Sequence, residues 1–147
     1  MTDANTEVPG PVDYLLVEWT DLQPNGEVAP YLIDLVDRGL IRILDLRFLT
    51  KAEDGSVAAV EIADLGGQIV EYAVFEGASS GLVDDEDLEA AAAVLQPGTS
   101  AALLIYENAW AAPLAGAILR SGGDLVASGR IPVPDLLAAL DAAEANA

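Results

Sequence analysis

From Ser100 to Tyr106, between Pro97-Gly98 and Glu107-Asn108, the chain runs Ser-Ala-Ala-Leu-Leu-Ile-Tyr without a charge. A strand that shows one face to water alternates apolar and polar side chains, and this run does not. It reads as the central strand of a sheet covered on both faces. Val12 to Trp19, Val-Asp-Tyr-Leu-Leu-Val-Glu-Trp, has the same doubled apolar character, with branched and aromatic residues suited to a strand. It reads as a second interior strand, next to the first. Two such strands need protein over each broad face, supplied by the remaining helices or by a second copy of the chain.

Pro24-Asn25-Gly26 is a turn signal. From Glu27 the apolar residues Val28, Tyr31, Leu32, Leu35 and Val36 keep the spacing of one buried helical stripe, and Gly39 ends it. Leu40 to Thr50 predicts a strand with Leu44, Leu46 and Phe48 on one side and Asp45 and Arg47 on the other. Asp54-Gly55 predicts a hairpin into an edge strand, Ser56 to Ala63. Within residues 64–81, Ile69 to Phe75 reads as one more strand or an extended cover. Asp84 is placed to cap a helix that continues through Leu88, Ala91, Ala92 and Leu95. After the central strand, Asn108 is placed to cap a helix with Trp110, Leu114, Ala117 and Ile118 on one stripe, stopped by Gly122-Gly123. Leu125 to Arg130 predicts a last strand, and Pro132 or Pro134 opens a terminal helix with Leu136, Leu137 and Leu140 inward.

This order predicts an α+β chain: a ferredoxin-like split β-α-β sheet, mainly antiparallel, with an extra hairpin strand and additional helices. Residues 1–11 are expected to be a disordered N-terminal lead-in, and residues 12–147 a single α+β domain.

What the 147 residues lack narrows the chemistry. Without cysteine or histidine there is no thiol redox pair, no zinc site of the usual donors and no imidazole acid–base group. With 25 acidic against 6 basic residues the net charge is −19, which repels nucleic acid and anionic bilayers over most of the surface. Met1 to Gly10 has neither the basic start nor the apolar core of a signal peptide, and no apolar run approaches the roughly 18–20 residues that span a bilayer. A soluble, cytoplasmic protein with no membrane or nucleic-acid partner is expected.

Four stretches carry a family resemblance: Gly10-Pro11-Val12-Asp13-Tyr14; Leu35-Val36-Asp37-Arg38-Gly39 with Arg42-Ile43-Leu44-Asp45; Phe75-Glu76-Gly77-Ala78; and Tyr106-Glu107-Asn108 with Trp110-Ala111. Together they resemble an uncharacterised family of small soluble proteins of unknown function, found mainly in actinobacteria. That family is in turn similar to a broader group carrying a glycine-rich membrane hairpin where this chain has Gly77 to Val83. The hairpin is absent here. Neither group implies an activity, so no catalytic residue is carried over.

The candidate sites are few. Asp84-Asp85-Glu86-Asp87 offers oxygen ligands for a hard cation, but the alternating ligand spacing of a calcium loop is missing and helix capping explains it better. Glu18, Glu76 and Glu107 lie near strand ends, where converging carboxylates make an acid–base pair; antiparallel pairing puts Glu18 and Glu107 at opposite ends. Arg38, Arg42, Arg47 and Lys51 concentrate four of the six basic residues in one stretch, which suits an anion pocket or salt bridges within or between subunits; alternation places Arg42 and Arg47 on opposite faces, which favours the salt bridges. Gly77 and Gly81 flank serines without a phosphate-loop pattern. The residues assigned to an interface are Trp19, Arg42, Arg47, Tyr106 and Trp110; no catalytic, cofactor-binding or metal-binding residue is assigned, and no cofactor is expected. The leading expectation is a non-enzymatic, self-associating structural or interaction protein, forming a homo-oligomer. The alternative is a small-molecule binding module with its pocket between the sheet and residues 64–83, and a carboxylate- or metal-dependent enzyme ranks last.

Overall fold

The computed structural model describes residues 9–20, 27–62, 75 and 77–146. Most of the N-terminal lead-in, the Pro24-Asn25-Gly26 turn, Glu76 and all of Ile69 to Phe75 except Phe75 lie outside the described residues. The chain divides into two compact units, Met1–Gly116 and Ala117–Ala147.

The first unit is built on four strands: β1 (Val12–Trp19), β2 (Arg42–Lys51), β3 (Val57–Val60) and β4 (Thr99–Glu107). They form one antiparallel sheet in the order β1-β4-β2-β3. The apolar run of the sequence analysis is β4, paired on both sides and buried along nearly its whole length. β1 does pair with it, but as an edge strand of the described sheet, not an interior one. Composition alone does not distinguish the two positions, because what separates them is a neighbour on the second side.

Since every pairing is antiparallel, β1 and β2 run the same way with β4 between them, and β3 and β4 run the same way with β2 between them. The chain is α+β, as expected. Its helices α1 (Ala29–Asp37) and α2 (Asp85–Ala93) cover opposite faces of the sheet.

Opposed residues of an antiparallel pair share a face, so register sorts the side chains. On the first face, Leu46, Phe48, Ala102, Leu104 and Tyr106 pack with Ala29, Leu32 and Ile33 of α1 and with Ile62 and Phe75. On the second, Leu49, Ala101 and Leu103 pack with Leu88, Ala92 and Leu95, and with Val83 ahead of α2. Burying a side chain of this size contributes about 1.5–3 kcal/mol, so a strand apolar on both sides draws a helix to each. The stripe predicted for α1 is rotated in the structure: Ala29, Leu32 and Ile33 face the core, while Val28, Tyr31, Leu35 and Val36 stay largely exposed. Gly39, with φ of +71°, lets the chain leave the helix through a left-handed residue.

α2 starts as the sequence implies. Asp87 N–H donates to Asp84 Oδ1 (2.9 Å) and Asp84 N–H to Asp87 Oδ2 (3.1 Å), a reciprocal cap. Its far end is held by Lys51, the sole lysine of the chain, whose Nζ donates to the carbonyls of Ala92 (3.0 Å) and Leu95 (3.1 Å). A cation there matches the negative end of the helix dipole.

Beyond β4, a 3-10 turn (Ala109–Ala111) leads into α3 (Ala112–Arg120). Asn108 does not cap it. Its side-chain amide instead donates to Pro11 O (3.0 Å) and Asp13 Oδ2 (2.9 Å), tying the start of β1 to the end of β4. In the second unit, the predicted strand Leu125 to Arg130 does not form, since a strand needs a partner edge for its backbone groups. The terminal helix α4 (Val133–Ala145) does form, with Leu136, Leu137 and Leu140 exposed where burial was expected.

One buried charge organises the second face. A register shift between Ile43 and Asp45 marks a β-bulge in β2, and Asp45 beyond it is 0% exposed. Its Oδ1 accepts N–H groups from Leu46 (2.9 Å) and Ser80 (3.0 Å), and its Oδ2 accepts one from Val83 (2.7 Å). Three backbone donors replace the lost hydration and pin the loop that delivers α2. Asp45→Asn keeps the shape but turns a donor toward the Val83 N–H. The variant is expected to lose about 2 kcal/mol of unfolding free energy, read from urea titrations followed by circular dichroism.

Candidate functional site

β1 is only partly covered on each face. Val12, Tyr14, Leu15 and Val17 are exposed, Tyr14 to 72%, and the only charges on the strand are Asp13 and Glu18. Register places Asp13, Leu15, Val17 and Trp19 on the first face and Val12, Tyr14, Leu16 and Glu18 on the second. α1 and α2 lean over β2 and β4, so an apolar groove is left beside β1 on each face.

The first-face groove encloses about 370 Å³, with Leu46, Phe48, Ala102 and Leu104 as its floor. Leu15, Val17 and Trp19 make one wall, and Tyr31, Leu32 and Leu35 of α1 the other. Phe75 also lines it, the one described residue of the segment 64–76 to do so. Asn108 stands at one end. The second-face groove, about 400 Å³, lies between Tyr14 and Leu16 of β1 and Ala90 and Ala91 of α2 with Val94 just beyond it.

The residues singled out from the sequence do not converge on one site. Trp19 is half-buried against the first-face core and walls the groove. Tyr106 is buried in that core. Trp110 is 60% exposed, with its Nε1–H 3.3 Å from Asn108 Oδ1. Arg42 bonds Glu107, and Arg47 donates to the carbonyl of Val83 (3.0 Å). Arg42 faces Glu107 and Arg47 faces Leu103 across the β2–β4 ladder, so the two arginines lie on the same face. Alternation put them on opposite faces; the extra residue of the bulge reverses the count. Arg38 pairs with Asp34 at the surface (3.3 Å). Glu18 Oε2 accepts from Gln96 N–H (2.7 Å) and lies at the other end of the β1–β4 pair from Glu107.

Glu107 is the second buried carboxylate of the sheet. Gly10 N–H donates to its Oε2 (2.7 Å), and Arg42 supplies Nε and Nη2 to its Oε1, each at 2.8 Å. The Gly10 bond first, and the Arg42 guanidinium second, hold this carboxyl below its ordinary range. Gly10 is required at this junction: a Cβ there would run into the Asn108 carbonyl. Sequence reasoning missed Asp45, Asn108 and Gly10 as positioning residues, because each bonds to groups distant in the chain.

The chain belongs to a family of unknown function, DUF6325, whose model matches residues 8–147. No curated protein and no solved structure matches it.

The Glu107 cluster has a pH signature. A carboxyl whose folded pKa is depressed adds stability above its unfolded value, near 4.5, and that stability is lost as pH falls through the lower folded value. Urea titrations from neutral pH to pH 3 should show unfolding free energy dropping more steeply in the parent protein than in Glu107→Gln. Parallel curves for the two proteins would contradict this assignment.

Proposed function

We propose that this is a non-enzymatic interaction protein that self-associates by pairing the free edge of β1 with β1 of a second copy. The observation that carries the reading is an eight-residue edge strand with exposed apolar side chains on both faces and, among the described residues, no strand against its outer side. An open edge of this kind is a template for another strand. The opposite edge, β3, is only four residues long, the usual protection against such pairing. β1 has no lysine, arginine or proline to block approach, and its two acids are occupied within the fold.

Pairing about a two-fold axis normal to the sheet keeps each face continuous, so residues of one face oppose only residues of the same face. Asp13 and Glu18 lie on different faces and never stand directly opposite each other in such a dimer. Trp19, at the end of β1, joins this contact; Arg42, through Glu107 and Gly10, holds the start of the strand in place. No helix of the described residues is long and apolar enough to cross a membrane, and no step of this reading calls on one.

Sedimentation equilibrium at micromolar concentration is expected to give the dimer mass. Because the chain carries −19, association should strengthen with added salt, which screens repulsion beyond about 8 Å at physiological ionic strength. The variant Tyr14→Glu, at a position 72% exposed, adds charge to the strand's second face, and should sediment as monomer with an unchanged thermal midpoint. A parent protein that stays monomeric at all concentrations and salts would sink the proposal.

A further inference from the structure

The first-face groove lies above the plane of the sheet, whereas pairing of the β1 edge acts within that plane. Its volume of about 370 Å³ falls within the range of small-molecule sites. Leu46, Phe48, Ala102 and Leu104 are buried at its floor, while Leu15 and Val17 on one wall and Tyr31 on the other are exposed at its mouth. The groove is therefore formed before anything enters it and is open to water. Five of the chain's eight aromatic residues, Trp19, Tyr31, Phe48, Phe75 and Tyr106, line it. The second-face groove, of similar volume, has Tyr14 as its one aromatic residue among those described, and it carries the charge of Asp87. Among the described residues no charged side chain lines the first-face groove. Asn108 stands at its end, but that side-chain amide is already bonded to Pro11, Asp13 and Trp110.

We infer that this groove binds an uncharged aromatic compound of a few rings, held between Trp19 on one wall and Tyr31 on the other. The lining selects against charge of either sign, because an ionic group entering it would give up its hydration and find no partner along the described walls. It selects for rings over chains. Aromatic groups gain offset and edge-to-face contacts beyond the apolar area they bury, and the groove presents aromatic residues on its floor and on both walls. A saturated compound of the same shape gains from burial alone.

The test is fluorescence titration of the full chain with phenylnaphthylamine, an uncharged dye that brightens on leaving water, and with its sulfonated counterpart anilinonaphthalenesulfonate. High salt in both titrations screens the net charge of the chain, so the comparison reads the groove itself. Saturable binding of one phenylnaphthylamine per chain is expected, about tenfold tighter than the sulfonate. Naphthol should displace the bound dye at about fivefold lower concentration than decahydronaphthol, its saturated and equally uncharged analogue. Tyr31→Leu, at an exposed wall position, keeps apolar bulk and removes a ring, and should weaken the dye about threefold. Tyr14→Glu, altered only on the other face, should bind the dye as the parent does, which separates this test from that of self-association. Unsaturable uptake, equal binding of the sulfonate, displacement by decahydronaphthol as readily as by naphthol, a Tyr31→Leu chain that binds as the parent does, or loss of the dye in Tyr14→Glu would each overturn the inference.

Discussion

β4 is the member on which the sheet depends, because it alone is hydrogen-bonded along both edges over its full length and buried on both faces. β1 reaches the rest of the sheet only through it, and both apolar clusters meet across it. The hydrophobic term brings α1 to one side and α2 to the other. Their placement is then fixed by polar contacts: Asp45 on the loop before α2, Lys51 on the carbonyls at its end, Glu107 and Asn108 on the segment that starts β1. Apolar burial supplies most of the driving force, while the buried carboxylates select one arrangement among several of similar burial.

Much of this was legible in the chain. The charge-free run of β4, the acidic cap of α2 and the Asp54-Gly55 hairpin follow from local signals, since each rests on residues within a few positions of one another; the edge strand expected over Ser56 to Ala63 is the shorter Val57–Val60. The missed features are those that depend on a distant neighbour. β1 has an interior strand's composition but lacks a second partner in the described sheet, and Leu125 to Arg130 has strand-like residues without an edge to join. The bulge near Leu44 carries no glycine or proline to announce it, yet it changes the facing of every β2 residue on one side of it relative to the other. Alternation places Asp45 only on the side opposite Leu46 and Phe48; that it is fully buried depends on partners from residues 80 and 83.

The candidate site follows from the same geometry. Helices that centre on β2 and β4 leave β1 with apolar side chains on each face and, among the described residues, no strand along its outer edge. Edge pairing uses its amide and carbonyl groups in the plane of the sheet, whereas the groove uses Leu15, Val17 and Trp19 above that plane. The expected pocket between the sheet and residues 64–83 falls in part on residues outside those described; the first-face groove includes Phe75 of that segment, and its walls come mainly from β1 and α1.

Lys51 is both the only primary-amine side chain in the sequence and a ligand of two helix-end carbonyls. Any acylating reagent or enzyme that modifies lysine side chains in this chain has one address, and reaching it means releasing the end of α2. Lysine acylation would therefore act as a direct lever on the packing of the second face, coupling a single covalent event to the order of that helix.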